Sequence, residues 1–463
     1  MKWKLLGITI IAALGGLLFG FDTAVISGTT DWLKTGFVAQ ITHELQSSFP
    51  TIAEGQLSSF LLGFTVASAL IGTIIGSLAV GRPSDAFGRR SILFVLAAFY
   101  FISAIGCALA WSWWSFLISR FLGGLAVGGA SVVSPMYIAE ISPAKYRGRL
   151  VAVTQFNVVF GILLAYLSNY LISSLAGAML GELQYRWMYG VQALPAAAFF
   201  FLLFFTPQSP RWLIAKQRVD EARGVLEQCG ADADNLEDEI KDIQASLDLT
   251  HHTMQEPFYC KKYLKPILLA VAMGAFNQLS GINAVLYYTP TIFKMAGAGV
   301  ESALLQSVII GFTMMVFTMA ALVIIDHVGR RRLMLLGSIG YIIGLCGAAY
   351  AFYTGGNGRL LLGSLLVFIA AHGFGQGAVI WVFISEIFPN RVRARGQALG
   401  SFTHWGMNAV ISWTFPMIAA AAGWMAFACY ALFMVGQLFW VILVMPETKG
   451  ITLEKIQQEL GIE

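Results

Sequence analysis

The sequence predicts an all-α membrane protein whose twelve transmembrane helices form two pseudo-symmetric six-helix bundles with cytoplasmic amphipathic helices between them. Three observations predict this fold: the apolar composition, the placement of the basic residues and an internal repeat. Hydrophobic residues make up 57% of the 463 residues, charged residues make up 12%, and the mean hydropathy is +0.72. Because a soluble domain carries about twice that charged fraction, the composition excludes a soluble enzyme.

Twelve apolar runs are each long enough for a helix to cross about 30 Å of hydrocarbon. The first six predicted spans cover residues 5–27, 57–79, 91–110, 114–137, 149–172 and 188–205. The second six cover residues 266–288, 304–325, 333–353, 360–384, 398–420 and 424–445. We interpret the apolar N-terminal run as the first span, because no convincing signal-peptide cleavage site ends it.

A charged segment separates the two sets of spans and has apolar residues at helical spacing, which predicts short amphipathic helices on the membrane surface. The predicted domains are therefore a first bundle at 1–206, a linker at 207–265, a second bundle at 266–446 and a tail at 447–463.

The basic residues predict the orientation, because Lys and Arg collect on the cytoplasmic side of a membrane. Of the 29 basic residues, 24 lie on one side of the predicted spans, four lie on the other, and Arg120 lies within a span. This asymmetry predicts a multi-pass protein of the cell membrane with both termini in the cytoplasm.

Two motifs occur once in each half of the chain. The motif D-x-x-G-R-R begins at Asp85 and again at Asp326, and the motif E-I-x-P-x-x-x-R begins at Glu140 and again at Glu386. Repeated bundles are typical of transporters. Charged groups at equivalent helix ends can pair across the halves when the inner mouth is closed and separate when it opens.

These motifs supply the predicted gating residues Asp85, Arg89, Glu140, Arg147, Asp326, Arg330, Glu386 and Arg393. The alternative is that these charges only fix the topology and face water. The presence of matched clusters in both halves favours gating.

The motifs GRPSDAFGRR, PMYIAEISPAKYRGR, TPQSPRWL, NQLSGINAVLYY, SEIFPNRVR and PETKG occur in order between Gly16 and Gly450. This set resembles the signature of the sugar porter family of the major facilitator superfamily, and bacterial proton-coupled pentose and hexose porters in particular. The resemblance implies the major facilitator fold and the import of a monosaccharide by alternating access. Gln208 departs from it, because the family usually has Glu there, which weakens a cytoplasmic ionic contact.

A sugar site combines amide side chains, which donate and accept hydrogen bonds, with aromatic rings for the apolar faces of the sugar. The second half of the chain supplies this mixture. The candidate residues in spans seven, ten and eleven are Asn277, Gln278, Asn283, Tyr287, Gly377, Trp381, His404, Trp405 and Asn408. Gln278 and Asn283 share no strict helix face, so we expect a helix break near Gly281 that lets both point inward. A single amide in a span is more often a contact between helices than a ligand contact.

The resemblance implies that Gln155, Asn277, Gln278, Asn283, Trp381, His404 and Trp405 hold the sugar, and we add Phe19 to the predicted site. Three positions depart from the family pattern. Asn277 stands where Gln is usual, His404 where an amide is usual, and Met314 where an amide is often seen. Because these changes alter the pairing of hydroxyl groups, xylose, glucose, galactose and a polyol such as inositol all stay open as substrates.

Two tyrosines and one charged pair have predicted roles in gating and coupling. Tyr287 and Tyr288 resemble a gate over the bound sugar, and the alternative for Tyr288 is an aromatic residue at the membrane interface. Asp22 and Arg120 are each costly alone in hydrocarbon, so we expect them to pair. The resemblance implies that Asp22 carries the coupled proton. The alternative is a static ion pair, and Gln192 stands where some coupled members carry an acid.

Two other functions stay open: a passive sugar facilitator of the same fold and a non-transporting sugar sensor. The short segment after Pro446 argues against a sensor, which is expected to have a long tail. We expect no cofactor apart from the coupling proton, no metal, no enzymatic activity, no nucleic-acid partner and a monomer. The five scattered cysteines predict neither a disulfide framework nor a zinc site.

Overall fold

The computed structural model describes residues 3–143, 146–230, 236–253, 257–355, 357–389, 391–451 and 453–462. Lys2 and Lys145, which belong to the basic residues counted for the orientation, lie outside these ranges. All regular structure in the described ranges is helical.

The sixth predicted span, 188–205, is not one continuous helix, because a turn at 191–192 interrupts it. In the first half of the chain, six main helices correspond to the six predicted spans. They are α1 (Trp3–Val25), α4 (Glu54–Ala79), α6 (Arg89–Ala108), α7 (Trp113–Ile141), α8 (Arg147–Leu180) and α10 (Ala193–Leu202). Four shorter helices lie between them: α2 (Thr30–Leu33), α3 (Ala39–Gln46), α5 (Gly81–Phe87) and α9 (Gln184–Gly190).

The linker forms three short helices, α11 (Pro210–Ala215), α12 (Val219–Cys229) and α13 (Leu236–Thr253). Their apolar residues Leu213, Leu226 and Ile240 are buried in the same hydrophobic cluster as Tyr100 and Tyr137 of α6 and α7. The amphipathic pattern of the linker therefore packs these helices onto the first half of the chain.

In the second half, two of the six predicted spans are split into two helices each. The helices are α14 (Leu264–Leu279), α15 (Ile282–Met295), α16 (Val300–Val328), α17 (Arg330–Tyr353), α18 (Gly358–Phe374), α19 (Gln376–Glu386), α20 (Arg393–Ala421), α21 (Gly423–Leu443) and α22 (Leu453–Leu460). The continuous span expected at 360–384 is therefore corrected to a pair of helices, α18 and α19. The expected break near Gly281 is confirmed.

The break between α14 and α15 depends on Gly281, whose φ of +80° lies in the left-handed region that favours glycine. A Cβ atom there would also collide with the ring of Tyr430. Between α18 and α19, a Cβ atom on Gly375 would lie 3.1 Å from the α-carbon of Gly337 on α17. Glycine at both breaks thus permits close helix packing.

Ten segments of the described chain are long and apolar enough to cross a membrane. One of them, residues 147–205, contains two of the predicted spans. The eleventh predicted span corresponds to α20, which carries Arg393, Arg395, His404 and Asn408 and falls outside the ten.

The structure divides into two compact units, each made of three chain segments. Unit 1 comprises Met1–Asp22, Ile71–Ile162 and Tyr189–Glu256, and unit 2 comprises Thr23–Leu70, Leu163–Met188 and Pro257–Glu463. The main apolar core of unit 1 lies between α1, α6, α7 and α10, and that of unit 2 between α14, α17, α19 and α21.

Candidate functional site

The repeated motifs form an ion-pair cluster in unit 1. Arg89, in the first turn of α6, contacts Glu140 of α7 at 2.9 Å and Asp85 of α5 at 3.0 Å. Ser209 donates a hydrogen bond to the other oxygen of Glu140. Arg147 is half-buried at the start of α8. These charges therefore connect helix ends within one repeat.

The equivalent cluster in unit 2 has the same plan. Arg330 contacts Glu386 at 2.7 Å and Asp326 at 3.0 Å. Thr448 donates to Glu386 at 2.6 Å, as Ser209 does to Glu140 in unit 1. Arg393, the residue that matches Arg147, donates a hydrogen bond to the carbonyl oxygen of Phe388 at 3.3 Å.

The two clusters also differ at the residue before the hydroxyl side chain. In unit 2, the carboxylate of Glu447 accepts hydrogen bonds from the backbone nitrogens of Arg330 at 2.9 Å and Arg331 at 3.1 Å. In unit 1, Gln208 occupies the matching place and donates to Ser91 at 3.1 Å. Its buried Oε1 has no hydrogen-bond partner within the described residues.

The amide side chains of span seven lie together at the break between α14 and α15. Gln278 donates to Oδ1 of Asn277 at 2.8 Å, and Asn283 donates to Oε1 of Gln278 at 2.9 Å. Because the helix is interrupted at Gly281, residues five apart meet on one side. Asn277 and Gln278 are buried and Asn283 is half-buried.

Aromatic residues from α19 and α20 extend this amide cluster. The amide nitrogen of Gln278 lies 3.2 Å from Nδ1 of His404. The His404 ring is 5.3 Å from the Trp381 ring and 4.9 Å from the Trp405 ring, measured between centroids. Trp381 is 38% exposed.

Span seven also contacts α20 through its two tyrosines. Asn408 donates to the hydroxyl of Tyr287 at 3.2 Å. Tyr288 is 1% exposed, stacks on Phe415 and donates to the carbonyl oxygen of Ser412 at 3.2 Å. This burial disfavours the alternative of Tyr288 as an interfacial belt residue.

The other candidate residues for the sugar lie on other elements. Gly377 lies one turn before Trp381 on α19. In unit 1, Phe19 of α1 packs against the apolar core and Gln155 of α8 is half-buried. Met314 on α16 is 8% exposed and supplies no polar atom apart from its thioether.

The charged residues of spans one and four form a buried pair in unit 1. Nη1 of Arg120 lies 2.9 Å from Oδ1 of Asp22, and both side chains are 3% exposed. Nε2 of Gln192 donates to the same oxygen at 3.2 Å, and the Arg120 guanidinium lies over the Tyr189 ring. The predicted pairing of Asp22 with Arg120 is confirmed, with Gln192 as a second donor.

The sequence reasoning missed one buried polar group in unit 2. His372 of α18 contacts the hydroxyl of Tyr341 at 2.6 Å, and that hydroxyl donates to Gln376 at 3.3 Å. Gln376 in turn donates to Gln437 of α21. The signal for this group is the occurrence of several polar residues in three apolar spans. No group of three or more potential metal ligands occurs among the described residues.

The structure has two apolar cores built from helices long enough to cross a membrane. Some of these helices are broken, and polar side chains lie inside the spans. These features define a multi-span transporter. The family model described as "Sugar (and other) transporter" matches residues 8–460. The chain therefore belongs to this sugar transporter family.

Several relatives and solved structures are similar to most of the chain. The D-xylose-proton symporter of Escherichia coli (strain K12) is 38% identical, covering 97% of this chain and 94% of the relative. The arabinose-proton symporter of Bacillus subtilis (strain 168) is 34% identical with the same coverage. The inward open structure of the xylose transporter XylE from E. coli has a TM-score of 0.85 and 37% identity, covering 98% of this chain and 99% of that chain.

These similarities confirm the predicted fold class, twelve transmembrane helices in two six-helix bundles of the major facilitator type. The chain is a multi-pass membrane sugar transporter and not an enzyme.

Proposed function

We propose that this protein imports a pentose or hexose together with a proton by alternating access. The observation that carries the proposal is the cluster of Gln278, Asn283, His404 and Trp381, which joins amides to aromatic rings inside membrane-spanning helices. Amides match the hydroxyls of a sugar and the indole matches an apolar ring face. Names of relatives include D-xylose-proton, arabinose-proton and glucose transporters, which supports the substrate class.

In this proposal the sugar is held by the candidate residues predicted from the sequence. Tyr287 and Tyr288 close over it, and Phe19 and Gln155 contribute from the first bundle. The bundles at 1–206 and 266–446 rock about the bound sugar, and the ion-pair clusters of the repeated motifs lock the cytoplasmic side. The protein acts as a monomer with both termini in the cytoplasm and binds no nucleic acid.

Asp22 is the proposed site of the coupled proton. An ionised carboxylate in an apolar interior needs partners, and Arg120 and Gln192 both donate to one of its oxygens. Loss of these donors during the transport cycle raises the proton affinity of the carboxylate. A proton then enters with the sugar and leaves when Arg120 returns.

Passive facilitation is the second candidate function. Gln192 favours it, because this neutral amide stands where some coupled members of the family carry an acidic residue.

Uptake of labelled D-xylose and D-glucose into proteoliposomes with an imposed pH gradient separates the two functions. We expect Asp22→Asn to abolish accumulation while sugar exchange at equal concentrations continues. Asp31→Asn is the matched control, because Asp31 is a half-exposed carboxylate paired with Lys294. Accumulation by Asp22→Asn at the wild-type level would contradict proton coupling at this residue.

A further inference from the structure

A relay of buried polar side chains lies between α17, α18, α19 and α21 of unit 2. Its members, Ser338, Tyr341, His372, Gln376 and Gln437, are all buried. In the apolar interior between membrane helices, buried polar groups must form hydrogen bonds with one another. The direction of each hydrogen bond can therefore be worked out along the relay.

The relay begins at a backbone carbonyl, which can only accept a hydrogen bond. The hydroxyl of Ser338 donates to the carbonyl oxygen of Met334 at 2.7 Å, which uses its single proton. Ser338 must therefore accept from Gln437, whose Nε2 lies 2.8 Å away. This contact fixes the orientation of the Gln437 amide.

The remaining directions follow from that orientation. Oε1 of Gln437 accepts from Nε2 of Gln376, so Oε1 of Gln376 faces Tyr341 and accepts its hydroxyl proton at 3.3 Å. The oxygen of Tyr341 is then an acceptor for its other neighbour, Nδ1 of His372, at 2.6 Å. With the hydrogen bonds in these directions, Nδ1 of His372 carries a proton.

A buried imidazole without a charged partner stays neutral, because desolvating an imidazolium ion is costly. With its proton on Nδ1, His372 has an unprotonated Nε2 that accepts hydrogen bonds. Within the described part of the chain, no residue hydrogen-bonds to this nitrogen. A Cβ atom on Gly377 would lie 3.2 Å from it, so this ring edge faces position 377, where glycine adds no side chain.

This edge of the His372 ring lies beside the proposed sugar site. Gly377 and Trp381 are four residues apart on α19, and residues at that spacing share one helix face. The Trp381 ring on that face contacts His404, which contacts Gln278. The edge of His372 at Gly377 therefore lies on the side that carries the amide and indole cluster.

We propose that Nε2 of His372 is a further recognition atom of the sugar site, an acceptor that takes a hydrogen bond from one sugar hydroxyl beside Gly377. This inference rests on the proposed function. The relay back to the carbonyl of Met334 holds the ring in one tautomer, so the site favours a donor at that position of the sugar. A fluorine atom there, which only accepts, is rejected.

The test uses D-xylose and D-glucose with each hydroxyl replaced in turn by hydrogen or by fluorine, as competitors of labelled sugar uptake into proteoliposomes. For the wild-type protein we expect one hydroxyl whose deoxy and fluoro analogues compete about tenfold more weakly than the parent, as for the loss of one hydrogen bond. In His372→Phe the parent weakens about tenfold, and both analogues at that position match it.

Tyr341→Phe tests the relay itself, because His372 stays but its tautomer is no longer fixed. The ring can then carry its proton on Nε2, so we expect the fluoro analogue to recover most of the tenfold loss while the deoxy analogue does not. Phe368→Leu is the control, since Phe368 packs beside the Tyr341 ring without a polar group. It should leave every ratio between analogue and parent unchanged.

A merely structural role for His372 would lower the yield or the maximal rate for all sugars alike. Unchanged ratios in both His372→Phe and Tyr341→Phe would overturn the inference while leaving sugar transport intact. If His372→Phe does not fold, the fluoro response of Tyr341→Phe alone decides. A wild-type protein that carries no sugar of the panel would overturn the proposed function and this inference together.

Discussion

The difference between Gln208 and Glu447 allows the repeat to be tested within one molecule. Each residue follows a proline and precedes a hydroxyl side chain, Ser209 or Thr448, that donates to the motif glutamate. Glu447 accepts two backbone hydrogen bonds at the start of α17, whereas Oε1 of Gln208 has no partner within the described chain. We expect Gln208→Glu to stabilise the protein.

The size of the effect follows from the geometry around Glu447. A carboxylate near a helix N-terminus stabilises by roughly 0.3–1 kcal/mol through the helix dipole, and a charged hydrogen bond contributes about 1.5–3 kcal/mol at most. Partial exposure reduces both, so Gln208→Glu should add about 1–2 kcal/mol. For a unit of this size, each kcal/mol of added stability raises the melting temperature by about 2–4 °C.

Thermal unfolding of the purified protein in detergent measures this effect. Glu447→Gln is the matched reverse variant and should lower the melting temperature by a similar amount, because it removes the carboxylate from the two backbone nitrogens. The reasoning is refuted if Glu447→Gln destabilises while Gln208→Glu has no effect or also destabilises.

Two further predictions concern helix packing and the proposed gate. Gly20→Ala places a Cβ atom against the carbonyl of Val158 and should abolish folding in a fluorescence size-exclusion assay, whereas Gly7→Ala, with nothing within 4 Å, should be neutral. Tyr288→Phe loses only the hydrogen bond to Ser412 and keeps its stacking, so stability should fall by about 1 kcal/mol while sugar uptake continues. Loss of all uptake with a normally folded Tyr288→Phe would show a role for the hydroxyl itself.

Most of the fold could be predicted from the sequence, because a membrane imposes a strict length and polarity on each spanning helix. The split of span ten at Gly375 could not, since it depends on close packing against Gly337 of a neighbouring helix. The break at Gly281 was predictable, because Gln278 and Asn283 could meet only if the helix was interrupted.

Within the candidate site, the contacts of charged residues were easier to predict from the sequence than those of neutral polar residues. An unpaired charge in an apolar interior has a high free-energy cost, so the pairing of Asp22 with Arg120 was predictable from the sequence. His372, Tyr341, Gln376 and Gln437 are neutral and lie on three spans, and their contacts depend on helix rotation that apolar periodicity does not define.

Equilibrium binding of D-xylose and D-glucose to the purified protein, measured by isothermal titration calorimetry, tests the central claim that the amide and indole cluster of unit 2 holds the sugar. We expect Asn283→Ala to weaken binding at least about tenfold. Gln306→Ala, which removes a half-buried amide on α16 that contacts Ser302 and not the cluster, should bind as the wild-type protein does. Wild-type affinity in Asn283→Ala, or no binding of either sugar to the wild-type protein, would contradict the claim.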